Sequence, residues 1–384
     1  MNPLPTMPHE YRLRLPGPVA VPARVQQAVS ECVLNHRGPE FRAQMAAMQE
    51  RIRPVIGTDH NVLVYAGSGT GMMEASLVNV CAPGEAVLAC VNGQFGQRYA
   101  SIARSLGLDV EELEFAWGAP ILAEAIAEKL KTKRYRAVTV VHNESSTGMI
   151  ADIAAIGAAV RETETLLLVD SVSGLGGMPM RQEQWGVDVL VSASQKALSC
   201  PPGMAFASIG AKARAVIERE DRLPRFYLDF RKALKSIDEN ETPFTTPVSL
   251  VAGLVESLQM MHEEGLQNVL VRHTRLAESF RRGAAALGFS IYGDPSLLSN
   301  TVVALEVPEG VNGGAIVKMM REEFHTIIAG SRNKLQGKVI RVGTMGDFDL
   351  HDVLTDLTLL EKTLGQLGVK VTPGAAAEAA LQAI

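Results

Sequence analysis

Short runs of consecutive apolar residues alternate with segments of helical periodicity along the first half of the chain. The apolar runs lie at 62–65, 86–91, 137–141, 166–169 and 187–191, and helical patterns lie at 24–33, 72–81, 99–106 and 153–161. Strands that are apolar along their whole length are typical of sheets covered on both faces, and strands that alternate with helices pair in parallel. The pattern therefore predicts an α/β fold built on a mostly parallel sheet.

The pattern changes after Thr246. Two long helices are predicted at 247–264 and 268–287, separated by Gly265, and strand-like segments follow at 301–307 and 338–342. Such a mixture is typical of a smaller α+β domain. We therefore expect an extended N-terminal arm, a large domain, a small C-terminal domain and an Ala-rich tail, with bounds at 1–14, 15–264, 265–372 and 373–384.

Composition and charge narrow the range of partners. The chain has 384 residues, of which 37 are basic and 42 acidic, so its net charge is −5. A mildly acidic chain without a long basic run is not typical of nucleic-acid-binding proteins. No apolar stretch has the length of a membrane span, and the N-terminus has neither a signal nor a transit pattern. We expect a cytoplasmic protein that binds neither nucleic acid nor membranes.

Cysteine and histidine do not form a recognisable metal site. None of Cys32, Cys81, Cys90 and Cys200 belongs to a C-x-x-C pair, and the eight histidines are scattered without H-E-x-x-H spacing. We therefore expect buried, reduced thiols and no bound metal ion.

A glycine-rich segment follows the apolar run at 62–65. Gly67-Ser68-Gly69-Thr70-Gly71 stands between a predicted strand and a predicted helix, where backbone N–H groups and the helix dipole attract anions. Ser68 and Thr70 add hydroxyl donors. The segment predicts either a phosphate site or a tight turn that only needs glycine. Its spacing differs from the G-x-G-x-x-G of dinucleotide sites, which disfavours a dinucleotide.

Three charged residues stand at predicted strands. Asp170 ends one apolar run, and Lys196 is the only charged residue between positions 189 and 210. Open α/β sheets bind ligands at the carboxyl ends of their strands, and an amine among apolar residues is a candidate for a lowered pKa. Arg341 points away from the apolar face of its segment and suits a substrate carboxylate. Taken singly, a helix cap explains Asp170 equally well, a surface position is more frequent for a lone lysine, and a salt bridge explains Arg341 at least as well.

Together these segments resemble the class V (fold type I) pyridoxal-phosphate-dependent aminotransferases, most of all the alanine–glyoxylate and serine–glyoxylate (serine–pyruvate) enzymes. The resemblance extends from about Leu15 to Leu367. The most specific motifs are His142-Asn143-Glu144-Ser145-Ser146-Thr147-Gly148, Leu168-Val169-Asp170-Ser171-Val172-Ser173, Ser194-Gln195-Lys196-Ala197-Leu198 and Pro201-Pro202-Gly203. Supporting matches are Pro16-Gly17-Pro18, His36-Arg37-Gly38, Asn92-Gly93-Gln94-Phe95-Gly96-Gln97-Arg98, Phe226-Tyr227-Leu228-Asp229 and Lys338-Val339-Ile340-Arg341-Val342-Gly343.

The resemblance implies a large domain with a mostly parallel seven-stranded sheet between helices, a small α+β domain, and a homodimer with shared active sites. It implies pyridoxal 5'-phosphate as the cofactor, which Lys196 holds covalently while Asp170 lies beneath the pyridine nitrogen. The other implied cofactor contacts are Ser68, Gly69, Thr70, Phe95, Ser145, Val172, Gln195 and, toward the phosphate of the neighbouring subunit, Thr245. Arg341 and Gly17 are the implied substrate-binding positions.

The implied reaction moves an amino group from alanine or serine to glyoxylate or pyruvate by a ping-pong mechanism. Three positions depart from residues that are frequent in the family. Phe95 stands where relatives often have tryptophan, Thr70 where they have histidine, and Thr242 where some have tyrosine. These departures bear on the amino donor and on the phosphate contacts rather than on the core chemistry.

Several other functions are compatible with parts of this sequence. Another class V aminotransferase, with aspartate or 2-aminoethylphosphonate as donor, stays open, and so does a non-catalytic protein of the same fold. A cysteine desulfurase is disfavoured because no cysteine follows Cys200. A serine hydrolase is disfavoured because Gly67-Ser68-Gly69 lacks the G-x-S-x-G spacing.

Overall fold

The computed structural model describes residues 11–31, 33–219 and 223–384. Strands within these ranges are β1 (Arg12–Leu13), β2 (Val62–Gly67), β3 (Ala86–Val91), β4 (Asp109–Glu114), β5 (Ala137–Val141), β6 (Asn143–Glu144), β7 (Met149–Ile150), β8 (Leu166–Asp170), β9 (Val189–Ala193), β10 (Gly203–Ile209), β11 (Ser290–Ile291), β12 (Val302–Glu306), β13 (Thr326–Ile327), β14 (Ala329–Gly330) and β15 (Val339–Gly343).

Helices within the same ranges are α1 (Ala23–Val29), α2 (Pro39–Ile56), α3 (Gly69–Val78), α4 (Gln94–Ser105), α5 (Ala123–Thr132), α6 (Ile153–Arg161), α7 (Ala211–Arg219), α8 (Phe230–Ile237), α9 (Val248–Glu264), α10 (Leu266–Ala286), α11 (Gly313–Glu322), α12 (Leu350–Gln366) and α13 (Ala375–Leu381). None of these helices combines the length and the apolar character that crossing a bilayer requires.

A seven-stranded sheet forms the centre of the large domain, in the order β2-β10-β9-β8-β5-β3-β4. Only β10 runs antiparallel to its neighbours, and the other pairs are parallel. The predicted fold class is therefore confirmed. Since β2, β3, β5, β8 and β9 all point the same way, their carboxyl ends meet at one edge of the sheet, and the segments that follow them converge there.

Several element bounds differ from the predicted ones, for reasons visible in the sequence. Strand β4 was not predicted because it reads Asp-Val-Glu-Glu-Leu-Glu and lies half-exposed at the sheet edge, so it contains no apolar run. Helix α3 begins at Gly69, inside the segment expected to be a loop, and α4 begins at Gln94 rather than Tyr99. Both helix starts contain glycine, which hides the helical pattern.

A four-stranded antiparallel sheet, in the order β11-β12-β15-β14, belongs to the second half of the chain. Its buried side chains form a hydrophobic core of their own together with α10, α11 and α12. Helix α13, in the Ala-rich tail, packs on α10 and α12 and buries Ala376 and Ala380. We propose the division at 264/265 as the domain boundary, which these two separate cores support.

The segment at the N-terminal end of the described chain crosses onto the small domain. Strand β1 pairs in parallel with β13, and the guanidinium groups of Arg12 and Arg14 contact the carboxylates of Asp352 and Asp356 on α12. Residues 1–10 of the predicted arm lie outside the described residues.

The contact between α6 and the turn at Trp185 yields a stability prediction. A Cβ added to Gly157 on α6 would lie 1.7 Å from the carbonyl oxygen of Trp185, so Gly157→Ala must displace backbone. We expect this variant to lose about 1 to 3 kcal/mol of unfolding free energy. The matched control is Gly365→Ala at an exposed position of α12, which meets no neighbour within 4 Å.

Helical alanine is favoured over glycine, so Gly365→Ala should gain about 0.5 to 1 kcal/mol. Chemical denaturation of both variants and the parent measures the difference. If both substitutions shifted the midpoint equally, the close approach of α6 to Trp185 would be contradicted.

Candidate active site

A cavity of about 200 Å³ lies at the edge of the large sheet where the carboxyl ends of the parallel strands meet. It brings together nine residues that the sequence had singled out as cofactor contacts: Ser68, Gly69, Thr70, Phe95, Ser145, Asp170, Val172, Gln195 and Lys196. These residues come from five separate segments of the chain. Met73, Arg98, Asn143 and Ser173 also line the cavity.

One end of the cavity is the N-terminus of α3. The Ser68 hydroxyl caps this helix by accepting from the N–H of Gly71 at 3.3 Å. The N–H groups of Gly69 and Thr70 have no acceptor among the described residues, so they remain available to an anion. Gly69 is required here because a Cβ would lie 2.5 Å from the Val172 side chain.

Asp170 ends β8 and lies buried at the floor of the cavity. Its Oδ1 accepts from the N–H of Val172 at 2.8 Å, the only donor to this carboxylate among the described residues. Burial raises the pKa of Asp170 to about 6, although the Val172 N–H and the charge of Lys196 oppose the rise. The carboxylate is therefore ionised at neutral pH and has an oxygen free for a ligand.

Lys196 enters the same cavity from the segment after β9. Its Nζ donates to the carbonyl oxygen of Pro16. Burial lowers the pKa of Lys196 to about 8, and the negative charge of Asp170 partly offsets this effect. An amine with such a pKa is uncharged in a useful fraction near neutral pH, which both nucleophilic attack and proton transfer require.

The chain at residues 14–17 covers Lys196 and connects it to the small domain. Gly17 has φ +91°, and a Cβ there would overlap the Lys196 side chain. Three residues earlier along this segment, the carbonyl of Arg14 accepts from the N–H of Gly343 at the end of β15. Gly17 therefore lies beside Lys196, and the lysine leaves no room for a side chain at position 17.

Phe95 is held in the cavity by the start of α4. The carboxylate of Glu144, which is buried, accepts from the N–H of Phe95 at 2.9 Å and from the N–H of Gly96 at 3.1 Å. A carboxylate at a helix N-terminus is favoured by the helix dipole. Burial nevertheless raises the pKa of Glu144. Glu144 belongs to one of the family-like motifs of the sequence, but its contact with α4 could not be predicted from that motif.

Arg341 lies beside the cavity on β15. Its Nη1 donates to the carbonyl of Ser145 at 2.9 Å and its Nη2 to the carbonyl of Gly330 at 2.7 Å. Its Nε is buried and has no acceptor among the described residues. Burial lowers the pKa of Arg341 from its ordinary value, yet a guanidinium group stays charged. Arg341 is paired with two carbonyls and no carboxylate, so its charge is available to a ligand.

Thr245 lies outside this cavity. It is exposed in a separate hollow with Tyr227 and Phe244, where its hydroxyl is 3.5 Å from Nε2 of His36. The resemblance implies that Thr245 reaches the phosphate of a neighbouring subunit, and this stays a prediction. Thr242, where some relatives have tyrosine, is buried in the same hollow.

Arg98 is the lining residue that the sequence analysis most clearly missed. Its Nη1 donates to Thr70 Oγ1 at 3.0 Å, and its guanidinium carbon is 4.5 Å from the centre of the Phe95 ring. A signal was present, because Phe95 and Arg98 are three residues apart and so share one face of a helix. The signal was hidden because the start of α4 was predicted at Tyr99.

The cysteines among the described residues do not line this cavity. Cys81, Cys90 and Cys200 are buried, unpaired thiols, and Cys32 lies outside the described residues. In the part of the chain that the structure describes, no cluster of histidine, cysteine, aspartate and glutamate could hold a metal ion.

Comparison with known proteins identifies relatives over nearly the whole chain. Residues 24–343 match the family described as "Aminotransferase class-V". The chain is 36% identical to a serine–glyoxylate aminotransferase of Methylorubrum extorquens (97% of this chain, 96% of the relative). It is also 36% identical to a protein of a Synechococcus strain named "Soluble hydrogenase, small subunit" (97% and 98%). The ureidoglycine–glyoxylate aminotransferase of Bacillus subtilis superimposes with a TM-score of 0.93 at 30% identity, covering 99% of both chains.

The electrostatic coupling of Lys196 and Asp170 yields a pH prediction for the cofactor-free protein. The Lys196 amine should titrate at about pH 8. Asp170→Asn removes the negative charge that stabilises the ammonium form, so the pKa of Lys196 should fall further. The acetylation rate of Lys196 as a function of pH, followed by peptide mass spectrometry, measures both values.

Lys131, which is exposed on α5, serves as the internal reference for reagent concentration in the same digests. A half-maximal rate near pH 10 in the parent protein, or an upward shift in Asp170→Asn, would contradict this electrostatic description.

Proposed function

Since the chain belongs to the class V aminotransferases, we propose that it transfers the amino group of a small amino acid, alanine or serine, to glyoxylate or pyruvate with pyridoxal 5'-phosphate as cofactor. The observation that carries this proposal is the common cavity of Lys196 and Asp170, an amine of lowered pKa and a buried carboxylate. A surface lysine or a helix-capping aspartate would have neither property.

The cavity suits this cofactor at each of its functional groups. The free N–H groups of Gly69 and Thr70 and the Ser68 hydroxyl suit a phosphate, and the unpaired oxygen of Asp170 suits a protonated ring nitrogen. Phe95 offers an aromatic face, and Ser145, Val172 and Gln195 complete the walls. Lys196 would hold the cofactor covalently.

The bound cofactor supplies an electron sink for the electron pair of the broken Cα–H bond. Asp170, as a carboxylate, would keep a proton on the nitrogen that it faces, because an anion at this position stabilises the charged form. Lys196, once its amine is free, would move the proton at Cα as a general acid and base. Its lowered pKa is close to the operating pH, where such proton transfer is most effective.

Arg341 would bind the carboxylate of the amino acid. A bidentate guanidinium–carboxylate pair fixes a planar group in one orientation, and so it would orient the Cα–H bond for cleavage. The absence of a carboxylate partner in the described structure and the unpaired Nε support this role. Gly17, the other substrate-binding position expected from the resemblance, lies against Lys196, whose side chain a Cβ at this position would displace.

The names of the relatives support glyoxylate as the acceptor. The Methylorubrum relative is named for serine and glyoxylate, and the Bacillus structure for ureidoglycine and glyoxylate, so the acceptor is shared while the donor differs. Serine or alanine is the donor that we propose. Aspartate and 2-aminoethylphosphonate remain the alternative donors for a class V enzyme.

Exposed aromatic side chains support a homodimer with shared active sites. Phe226 is 71% exposed and Tyr227 42% exposed, and both pack on Phe244 in the stretch that leads to Thr245. Contiguous exposed aromatics are typical of interaction surfaces. Thr245 would then contact the cofactor phosphate of the partner subunit. Cytoplasmic location stays a prediction from the sequence.

Steady-state kinetics with a matrix of donors and acceptors tests the proposed function. Alanine, serine, aspartate and 2-aminoethylphosphonate are each combined with glyoxylate and pyruvate, and the amino product is quantified. We expect parallel double-reciprocal lines with serine or alanine and glyoxylate. A wild-type protein that took up the cofactor but transferred no amino group with any pair would contradict the proposal.

Arg341→Ala in the same assay tests the substrate site. Loss of a charge-assisted pair is worth about 1.5 to 3 kcal/mol, so KM for the donor should rise about 10- to 100-fold. Arg282→Ala, an exposed residue of α10, is the matched control and should leave KM unchanged. An unchanged KM in Arg341→Ala would remove Arg341 from the substrate site.

A further inference from the structure

The guanidinium group of Arg98 is held at the end of the cavity that α3 forms. Its Nη1 donates to Thr70 Oγ1 at 3.0 Å, and its central carbon lies 4.5 Å from the centre of the Phe95 ring. Thr70 is the second residue of α3, so the group lies next to the free N–H groups at the start of this helix. A cation and a helix N-terminus therefore meet at one place.

The charge of Arg98 has no acidic partner among the described residues. Its hydrogen bond is to a neutral hydroxyl. By contrast, Arg104, six residues later on the same helix, forms a salt bridge with Glu112. Arg98 is half-buried and lines the cavity, so its charge is directed toward the site rather than toward solvent alone. A fixed, half-buried cation without a carboxylate partner is typical of an anion-binding position.

The field of Arg98 extends over the reactive groups of the cavity. Its positive charge contributes to lowering the pKa of Asp170 and that of Lys196, while burial acts on these two pKa values more strongly. The guanidinium group is thus close enough to influence a ligand placed between these residues and α3.

We propose that Arg98 binds the phosphate group of the cofactor at the N-terminus of α3 and supplies the positive charge that this dianion requires. The inference rests on the proposed function, since it assumes the phosphate of pyridoxal phosphate. Neutral N–H and hydroxyl donors solvate an anion but do not neutralise it, whereas a guanidinium group adds a full charge and paired N–H donors.

The substrate carboxylate is the other anion that Arg98 could bind. Arg341 lies beside Ser145, while Arg98 bonds to Thr70 on α3, so the two cations contact different lining residues of the cavity. The side of Thr70 is the side of the free helix N–H groups, which favours the phosphate over the substrate for Arg98.

Titration of the cofactor-free enzyme with pyridoxal phosphate, and separately with pyridoxal, distinguishes these possibilities. Both ligands carry the same ring and aldehyde, and only one carries the phosphate. Absorbance and fluorescence report the dissociation constant without any need for turnover. The variants are Arg98→Met and Arg98→Lys, with Arg104→Met on the same helix as the matched control. Thermal unfolding of each cofactor-free variant verifies that the fold is retained.

We expect Arg98→Met to weaken pyridoxal phosphate binding about 10- to 100-fold and to leave pyridoxal binding unchanged. Arg98→Lys should retain part of the affinity, because it keeps the charge and loses the planar fork. Arg104→Met should bind both ligands like the parent protein.

Two outcomes would overturn the inference while leaving the proposed function intact. The first is wild-type affinity for pyridoxal phosphate in Arg98→Met; if KM for the donor then rose, Arg98 would be assigned to the substrate. The second is an equal loss for both ligands, which would assign Arg98 to the ring or to the fold. Failure of the wild-type protein to bind either ligand would instead remove the proposed function, and this inference with it.

Discussion

Burial acts in opposite directions on the two groups at the floor of the cavity, and the rest of the site depends on their balance. It raises the pKa of Asp170 to about 6 and lowers that of Lys196 to about 8, while each charge opposes the shift of the other. Between these values the carboxylate is ionised and the amine is mostly protonated but readily deprotonated. A single buried charge in this place would be costly, and the pair makes both charges tolerable.

The fold maintains the balance between burial and charge because it brings separate segments of the chain together at the cavity. Parallel strands bring Asp170 and the segment of Lys196 to the same sheet edge, and α3 presents its N-terminus to the opposite end of the cavity. Pro16 and Gly17 cover the lysine, and the Arg14 carbonyl in the same segment accepts from the N–H of Gly343, two residues after Arg341 on β15. One segment therefore contacts both Lys196 and the strand that holds Arg341.

The central sheet could be predicted because its signals are local, whereas most of the cavity residues could be predicted only from the resemblance of their motifs to those of the class V aminotransferases. Strands β3 and β5 and helix α6 have the predicted bounds, since each is a continuous or periodic apolar pattern. Strand β4 could not be predicted in this way, because its half-exposed edge position permits four acidic residues. Arg98 and Glu144 were also missed as functional residues. The helical spacing of Phe95 and Arg98 was hidden because α4 was predicted to begin at Tyr99, and the contact of Glu144 with the start of α4 leaves no periodic signal in the sequence.

Every role proposed for the cavity depends on covalent attachment of the cofactor to Lys196, which reductive trapping detects. Purified enzyme is reduced with sodium borohydride and digested, and the peptides are identified by mass spectrometry. We expect a reduced pyridoxal phosphate adduct on the peptide that contains Lys196, and no adduct in Lys196→Ala. An adduct on another lysine, or none after incubation with excess cofactor, would contradict the assignment of this cavity.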